Sequence, residues 1–318
     1  MATGTRPKIS IGLDVGGTKI AAGVVSGGTV LERLERPTPV GGSSAVETMF
    51  EMIGSLRERH DVVEAVGVGA AGMVEWPDGH IKWAPNNAYH DLPLRKRLEE
   101  VTGLPAVVDN DANAAAWAEA RYGAGAGKRD VLVVTVGTGI GGGFILDDRL
   151  YRGSTGLGGE FGHITVAPDG PVCGCGNRGC LEAVASGTAL GREGRAAAEA
   201  SPTGAIATLA GDPARVTGEV VFAAAKAGDP AAIGLFDKLG GWLGIGLGSL
   251  VTLLDPEVVV IGGGMIAVGE LLLAPARRAL PAHTFAHDRR LLPPVVAASL
   301  GPAAGLIGAA DLALQPLA

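Results

Sequence analysis

All three cysteines of the chain lie within eight residues, and a histidine precedes the first of them by ten positions. These residues are His163, Cys173, Cys175 and Cys180. One imidazole and three thiolates form a complete tetrahedral set of zinc ligands with no position left for water, which is typical of a structural site. The alternative is a chance cluster of free cysteines in a glycine-rich loop. The metal interpretation predicts a zinc-clamped loop that carries Glu160 and Glu182 next to the ligands.

Composition limits the classes of protein to consider. The 318 residues are 47% hydrophobic and 19% charged, which suits two domains with a large core. The net charge of −7 argues against nucleic acid as a partner. The N-terminus has no apolar signal core, and three clustered cysteines argue against disulfides, so we expect a cytoplasmic protein. The uncharged run 239–254 contains five glycines and predicts a buried helix rather than a membrane span.

Two segments follow the pattern strand, glycine turn, strand. The first turn, 14–19 (DVGGTK), follows a strand predicted over 8–13 and precedes an apolar run over 20–25. The second, 137–143 (GTGIGGG), follows a strand predicted over 130–136. It contains a formal G-x-G-x-x-G, but that fingerprint must open a helix, whereas the strand-like 144–146 follows here. The repetition predicts a duplicated α/β fold with phosphates between its halves, although each glycine turn alone is also compatible with an ordinary hairpin.

Acidic and amide side chains occur where predicted strands end. Asp14 ends the first strand, where a carboxylate next to a phosphate turn is suited to Mg²⁺. The run 109–113 (DNDAN) lies between a strand over 106–109 and a helix over 112–122. Such residues face the ligand crevice in many α/β sheets, but they are also preferred helix caps, and both interpretations stay open. A third glycine turn, 262–264, indicates either a nucleoside contact or a tight strand-to-helix connection.

Taken together, these motifs resemble the ROK family of sugar kinases and repressors, and within it the actinobacterial, ATP-dependent glucokinases. The matching segments are DVGGTK at 14–19, NDAN at 110–113, GTGIGGG at 137–143, GLGGEFGH at 156–163, and the H-x9-C-x-C-G-x2-G-C-x-E run that ends at Glu182. The resemblance implies an α/β fold with two RNase H-like lobes around a cleft, as in the actin/hexokinase/Hsp70 superfamily. It also implies a C-terminal helix that returns to the first lobe. We expect a small lobe over 1–109 plus 300–318 and a large lobe with the zinc loop over 110–299.

The resemblance further implies a role for individual residues. Asp111 is expected to be the general base that takes the proton of the sugar 6-hydroxyl as it attacks the γ-phosphate. The residues expected to bind the sugar are Gly72, Asn86, Asn110, Asp111, Glu160, His163 and Glu182. The residues expected to bind ATP and its Mg²⁺ are Asp14, Gly16, Gly17, Thr18, Lys19, Thr138, Gly139 and Gly263. His163 is expected to be shared, with one ring nitrogen on structural zinc and the other free for a sugar hydroxyl.

The expected reaction is the ATP-dependent phosphorylation of glucose, with alternatives that the sequence leaves open. Many family members have Pro-Asn-Leu where this chain has Pro85-Asn86-Asn87, so mannose, fructose or an N-acylhexosamine stays possible, as does polyphosphate as donor. A sugar-binding repressor is disfavoured, because only about seven residues precede the first predicted strand and the charge is acidic. The apolar, glycine-rich helices of the second half and the resemblance favour a homodimer or homotetramer.

Overall fold

The structure is a computed structural model, and it describes residues 8–39, 42–60, 62–84 and 90–316. The chain divides into two compact units. The first unit comprises Met1–Arg129, Gly142–Gly159 and Ser299–Ala318, and the second comprises Asp130–Gly141 and Glu160–Ala298. The C-terminal segment thus belongs to the first unit. The predicted lobe boundary after residue 109 differs from this division, because 110–129 and 142–159 group with the first unit.

Strands and helices alternate along much of the chain. The strands are β1 (Ile9–Val15), β2 (Lys19–Ser26), β3 (Thr29–Pro37), β4 (Ala65–Ala70), β5 (Met73–Glu75), β6 (His80–Trp83), β7 (His90–Leu92), β8 (Ala106–Asn110), β9 (Val131–Val136), β10 (Ile140–Leu146), β11 (Arg149–Tyr151), β12 (Val258–Gly262) and β13 (Val295–Ala297). The helices are α1 (Gly42–Arg57), α2 (Leu94–Thr102), α3 (Asp111–Tyr122), α4 (Leu181–Ala185), α5 (Gly187–Ala200), α6 (Ala205–Ala210), α7 (Gly218–Lys226), α8 (Pro230–Leu254), α9 (Glu270–Ala279) and α10 (Ala304–Leu312).

Two five-stranded sheets repeat the same strand order. The first is β3-β2-β1-β4-β8 and the second is β11-β10-β9-β12-β13. In the first sheet β1 is antiparallel to β2 and parallel to β4, which is parallel to β8. In the second, β12 is parallel to both β9 and β13. The repeated order confirms the predicted duplication and the RNase H-like architecture, in which each half has an antiparallel meander followed by parallel crossovers. A small third sheet has the order β5-β6-β7.

The first sheet is covered on both faces. One face packs on α1 and α2 through side chains such as Met49, Met52 and Leu98, which form one apolar cluster with Ile11 and Leu13 of β1. A separate cluster on the other side joins β2 to α3 and α10. A sheet buried on both faces requires apolar side chains at successive strand positions, which explains the short continuous apolar runs of β1 and β4.

Helix α10 approaches its neighbours so closely that glycine is required at three contacts. A Cβ on Gly12 of β1 would lie 1.9 Å from the carbonyl oxygen of Leu306, and one on Gly67 of β4 would lie 1.7 Å from that of Ala309. On the helix itself, a Cβ on Gly308 would lie 1.7 Å from the carbonyl oxygen of Ala114 in α3. These contacts are backbone to backbone, so no side-chain rearrangement could accommodate a larger residue.

The long helix α8 uses its glycines in a similar way. Gly240, Gly244 and Gly248 recur every four residues, and a Cβ on Gly240 or Gly244 would clash with α9. Gly246 instead accommodates the side chain of Leu181 in α4. The glycine-rich run is therefore a packed helix, as predicted. In the described part of the chain, no helix combines the length and the apolar character that crossing a bilayer requires.

Most elements predicted from periodicity are present with ends that differ by one or two residues. Strand β10 is an exception, because it begins at Ile140 and includes residues 141–143, which were predicted to belong to the turn. Helix α5 begins at Gly187 with Ser186 as its N-cap, and α8 begins at Pro230 with Asp229 as its N-cap. The sequence analysis did not predict β3, the small sheet β5-β6-β7, β11, or the helices α4, α6 and α9. Strand β3 is an edge strand rich in charged residues, so it lacks the apolar pattern that predicts a strand. Helix α9 contains Pro275, a residue that normally argues against a helix interior.

The contact between α10 and β4 predicts a large effect of a single methyl group. We expect Gly67→Ala to lower the free energy of unfolding by about 1–3 kcal/mol or more, because its Cβ has only backbone atoms to displace. Urea unfolding followed by circular dichroism measures the change. The matched control is Gly54→Ala in α1, where a Cβ meets no atom within 4 Å. That variant should gain about 0.5–1 kcal/mol from lower chain entropy. Equal effects at both positions would contradict the proposed packing.

Candidate active site

The first glycine turn places a buried carboxylate at the end of β1. Asp14 is paired with Ala21 of β2, and the hairpin closes where the amide of Gly16 donates to the carbonyl oxygen of Lys19 at 3.1 Å. A Cβ on Gly305, in the first turn of α10, would lie 2.7 Å from the Asp14 carboxylate. Burial raises the pKa of Asp14 to about 6, the nearby charge of Asp111 adds to the shift, and Lys19 and Arg33 oppose it. This turn therefore holds a carboxylate that has lost much of its hydration.

The rest of the first turn lies at the surface. Thr18 and Lys19 are exposed. The ammonium group of Lys19 forms an ion pair with Glu35 of β3 at 3.1 Å. Thr38 stabilises the turn through two hydrogen bonds. Its hydroxyl donates to the carbonyl oxygen of Gly16 at 2.7 Å, and its amide donates to the carbonyl oxygen of Thr18 at 3.0 Å. The side chains of Thr18 and Lys19 thus remain accessible to a ligand.

The DNDAN segment combines helix capping with a candidate catalytic group. Asn110 is the N-cap of α3, and its side-chain oxygen accepts from the amides of Ala112 at 2.8 Å and Asn113 at 3.2 Å. Its side-chain nitrogen donates to the carbonyl oxygen of Gly72 at 3.2 Å, which brings together two residues predicted to bind the sugar. Asp111 is the first residue of α3 and is half-buried. Asn110 thus holds the capping role, and the catalytic role of the Asp111 carboxylate at the helix start stays a prediction.

In the second unit, two glycine turns lie next to each other. Thr138 and Gly139 connect β9 to β10, and Gly263 follows β12 with φ of +82°. A Cβ on Gly263 would lie 2.5 Å from the carbonyl oxygen of Val136, so this position requires glycine for both its conformation and its space. Three residues predicted to bind ATP are therefore held on adjoining turns at the carboxyl ends of parallel strands.

A cavity of about 630 Å³ opens beside these turns. It is lined by both turns and by the first turns of α5 and α7, including Thr138, Gly187, Thr188, Thr217, Gly218 and Gly264. Ser186 caps α5 and Thr217 caps α7, so two helix N-termini border the cavity. At the start of α5 the amides of Gly187 and Thr188 donate to the carbonyl oxygens of Gly137 and Thr138 at 2.8 and 3.3 Å. Thr188 donates to the carbonyl oxygen of Thr138 at 2.7 Å, which joins α5 to the glycine turn. The sequence analysis missed the lining from α5 and α7, although their caps give a signal.

Glu182 connects the second glycine turn to the cysteine loop. One of its oxygens accepts from the amide of Ile140 at 2.9 Å, and the other lies 3.6 Å from the sulfur of Cys173. A Cβ on Gly139 would lie 2.2 Å from this carboxylate. Glu182 was predicted to bind the sugar, and the structure adds these two contacts.

The predicted zinc ligands come together. The donor atoms of His163, Cys173, Cys175 and Cys180 all lie within 4.8 Å of one another. The Cys175 and Cys180 sulfurs are 3.7 Å apart, and the Cys173 sulfur is 3.6 Å from Nδ1 of His163. A tetrahedral zinc ion, with bonds of about 2.3 Å to sulfur and 2.0 Å to nitrogen, would separate such pairs by about 3.8 and 3.5 Å. The donor set therefore fits zinc in both chemistry and spacing.

The three thiols of the cluster differ in burial and in the direction of their pKa shifts. Burial raises the pKa of Cys180 to about 12 and also raises that of Cys173, whereas the backbone amide of Asn177 lowers the pKa of the exposed Cys175. Two buried thiols ionise at neutral pH only with a positive charge beside them. The two nitrogens of His163 also face different groups, since Nδ1 faces Cys173 and Nε2 lies 4.0 Å from the carboxylate of the exposed Glu160. The predicted division of the imidazole between metal and sugar stays a prediction.

One predicted sugar contact cannot be located. Asn86, with its neighbours Pro85 and Asn87, lies outside the described residues.

Comparisons with known proteins give a consistent result. The model of the ROK family matches residues 10–316. A glucokinase of Streptomyces coelicolor is 43% identical over 312 residues, which cover 97% of this chain and 98% of that protein. A crystal structure of a ROK family glucokinase from Streptomyces griseus, in complex with glucose and AMPPNP, is similar with a TM-score of 0.85 and 44% identity, and covers 97% and 100% of the two chains. A ROK family transcriptional regulator, a homologue of the E. coli MLC protein, has a TM-score of 0.86 and 26% identity, covering 97% of this chain and 78% of the regulator.

The cysteine cluster predicts one zinc ion per chain. Cys175→Ser should lower the bound zinc well below one equivalent after dialysis and lower the melting temperature, because a closed site loses one of four ligands. Elemental analysis and thermal unfolding measure both effects. Cys175 is exposed, so the change creates no cavity, and Val172→Ser, at a position that is 62% exposed in the same loop, is the matched control. Zinc-free wild-type protein from zinc-supplemented cultures would contradict the assignment.

The carboxylate of Asp14 predicts a pH-dependent stability. Its folded pKa is raised from 3.8 to about 6, so the favourable contribution of its protonated form is complete below about pH 4 and is lost as the pH rises through 6. Without magnesium, Asp14→Asn should therefore become more stable than the wild type as the pH rises, by on the order of 2–3 kcal/mol at pH 7.5. Urea unfolding between pH 4 and 8 measures this difference. The control Asp78→Asn, in an exposed turn, should show no such trend, and a flat difference for Asp14→Asn would contradict the burial argument.

Proposed function

The chain belongs to the ROK family, and from this premise we propose that it transfers the γ-phosphate of ATP to the 6-hydroxyl of glucose with Asp111 as the general base. ATP-dependent glucose phosphorylation is the activity that its glucokinase relatives and its similarity to a glucokinase with bound glucose and AMPPNP support. The observation that carries the proposal is the half-buried carboxylate of Asp111 at the start of α3, directly after the capping residue Asn110.

The donor half of the proposal rests on the second unit. A cavity of about 630 Å³ is large enough for a nucleoside, and it lies between the phosphate-type turn at Thr138 and two helix N-termini. Backbone amides at helix starts suit the negative charge of the phosphates. We assign the triphosphate to the glycine turns that contain Gly139 and Gly263, and the nucleoside to the space lined by α5 and α7.

The chemistry requires little from the protein beyond positioning and neutralisation of charge. The transition state of phosphoryl transfer is loose, so the sugar hydroxyl must be held in line and its proton must have an acceptor. Asp111 provides that acceptor. Because α3 begins at Asp111, the positive end of the helix also favours the ionised carboxylate that the base needs.

The residues proposed to bind the sugar belong partly to the first unit and partly to the second. Asn110 is held by Gly72 on one side and by the start of α3 on the other, which leaves its amide in a fixed orientation. In the second unit Glu160, His163 and Glu182 surround or adjoin the cysteine cluster. Paired carboxylates, amides and an imidazole suit the vicinal hydroxyls of a hexose. We therefore propose that these side chains bind the sugar, together with Asn86.

Two metal ions have suitable residues. Zinc fits the set of one histidine and three cysteines, where it would fix the orientation of His163. Magnesium fits Asp14, because Mg²⁺ is commonly held by one or two carboxylates and by the phosphates of its nucleotide, and its charge would offset the burial that raises the pKa of Asp14. When bound, such an ion neutralises charge on the phosphates.

The remaining expectations stay predictions. The choice among glucose, mannose, fructose and N-acylhexosamines depends on side chains around the sugar that include Asn86 and Asn87. Polyphosphate as an additional donor is compatible with the same glycine turns. A cytoplasmic location, the absence of nucleic acid as a partner, and a homodimer or homotetramer also rest on the sequence analysis alone.

A coupled assay of ADP release tests the activity. With saturating Mg-ATP, turnover should be highest with glucose among glucose, mannose, fructose and N-acetylglucosamine. Turnover led by another hexose would retain the reaction and overturn the choice of substrate. No turnover with any sugar, in protein that binds glucose by calorimetry, would overturn the assignment as a kinase.

Asp111→Asn tests the general base. We expect kcat to fall by about 10²–10⁴-fold, because the amide cannot accept the proton, while glucose binding measured by calorimetry changes little. The control Asp288→Asn, whose side chain is 67% exposed, should keep wild-type turnover. If Asp111→Asn retained turnover within a few fold of the wild type, another group would have to be the base.

A further inference from the structure

A buried carboxylate lies directly before the proposed sugar and base residues. Asp109 is 4% exposed and is the penultimate residue of β8. Its Oδ1 accepts from the amide of Asn110 at 2.8 Å and from the side-chain nitrogen of Asn113 at 3.0 Å. The Asp109 carboxylate therefore holds the backbone on the N-terminal side of Asp111 and the first turn of α3 on its C-terminal side.

The second oxygen of this carboxylate is held by an arginine from a distant part of the chain. The Nε of Arg152, directly after β11, donates to Oδ2 of Asp109 at 2.7 Å. The two side chains are only 13% and 5% exposed. A charge pair this deeply buried is retained at a cost in desolvation, and an apolar pair of similar volume would often stabilise a fold equally well. A role beyond stability accounts for its presence next to the site.

Arg152 also holds a third segment. Its guanidinium lies 3.6 Å from the centre of the Trp76 ring, and the amide of Trp76 donates to the carbonyl oxygen of Thr155 at 3.2 Å. Four residues before Trp76, the carbonyl oxygen of Gly72 accepts from the side chain of Asn110. The loop that follows β4 is therefore connected to the start of α3 both through Asn110 and through Arg152.

We propose that Arg152 is a positioning residue for the phosphoryl transfer, which acts through Asp109 to fix the Asn110–Asp111 peptide and thereby the direction of the Asp111 carboxylate. The planar guanidinium can donate to Asp109 and stack on Trp76 at the same time, whereas the ammonium of lysine cannot do both. Small displacements of a catalytic group lower the rate steeply, by about 10²-fold for a shift of 1 Å. The inference relies on the proposed role of Asp111 as base.

The test compares Arg152→Lys, Arg152→Met and a matched control. Arg152→Met should lower kcat by about 10–100-fold in protein that remains folded by circular dichroism, with the KM for ATP within about twofold of the wild type. Arg152→Lys keeps the charge, folds more readily, and should lower kcat by an intermediate factor. The control is Arg95→Met, which removes an arginine that forms an ion pair with Glu99 and donates to the carbonyl oxygen of Pro77, next to Trp76. It should keep kcat even if its melting temperature falls.

A double variant separates action through Asp109 from an independent effect. If Arg152 acts through this carboxylate, Asp109→Asn combined with Arg152→Met should be no slower than the slower single variant. Additive losses would overturn the proposal, as would an unchanged kcat in folded Arg152→Lys and Arg152→Met. Asp111→Asn, assayed in parallel, distinguishes a failure of the base assignment from a failure of the positioning role. If Asp111→Asn abolishes turnover while the Arg152 variants leave turnover unchanged, the base assignment is retained and the positioning role is wrong. If Asp111→Asn is active, the base assignment itself is wrong.

Discussion

The first unit depends on the backbone-to-backbone contact between α10 and the sheet. Because Gly12 and Gly67 have no side chain, the last helix of the chain lies directly on the first and fourth strands. The same approach places Gly305 against the carboxylate of Asp14 and removes that group from water, which is the main reason that its pKa is raised to about 6. The packing of α10 thus sets both the stability of this unit and the electrostatics of its glycine turn.

The second unit has a different kind of constraint. Its cysteine loop contains little regular structure, and its short-range order depends on four donor atoms within 4.8 Å of one another. Glu182 extends this order, because it contacts both Cys173 and the amide of Ile140. Glu182 therefore connects the cluster to the turn that we assign to the phosphates. Zinc, if bound, would support the donor turn as well as the sugar side chains.

The sequence predicted the features whose signals are local. The glycine turns and the cap before α3 each lie within a few residues, and the cluster from His163 to Cys180 lies within 18, so spacing and residue type were sufficient. The pair formed by Asp109 and Arg152 could not be predicted, because its members are 43 positions apart and Arg152 belongs to no motif. The lining of the nucleoside-sized cavity was missed for the same reason. Thr138, Thr188 and Thr217 are distant in sequence and line one cavity only because α5 and α7 pack beside the glycine turn. Strand β3 was missed because an edge strand rich in charge lacks an apolar face.

The fold alone does not separate a kinase from a sugar-binding regulator, since the glucokinase and the regulator have TM-scores of 0.85 and 0.86 to this chain. The difference must lie in groups that binding a neutral sugar does not need. Asp14 is such a group, because burial and the charge of Asp111 make its ionised form unfavourable. A cation that accompanies a nucleotide would offset its charge. The presence of Asp14 together with a separate carboxylate at the start of α3 therefore favours phosphoryl transfer over binding.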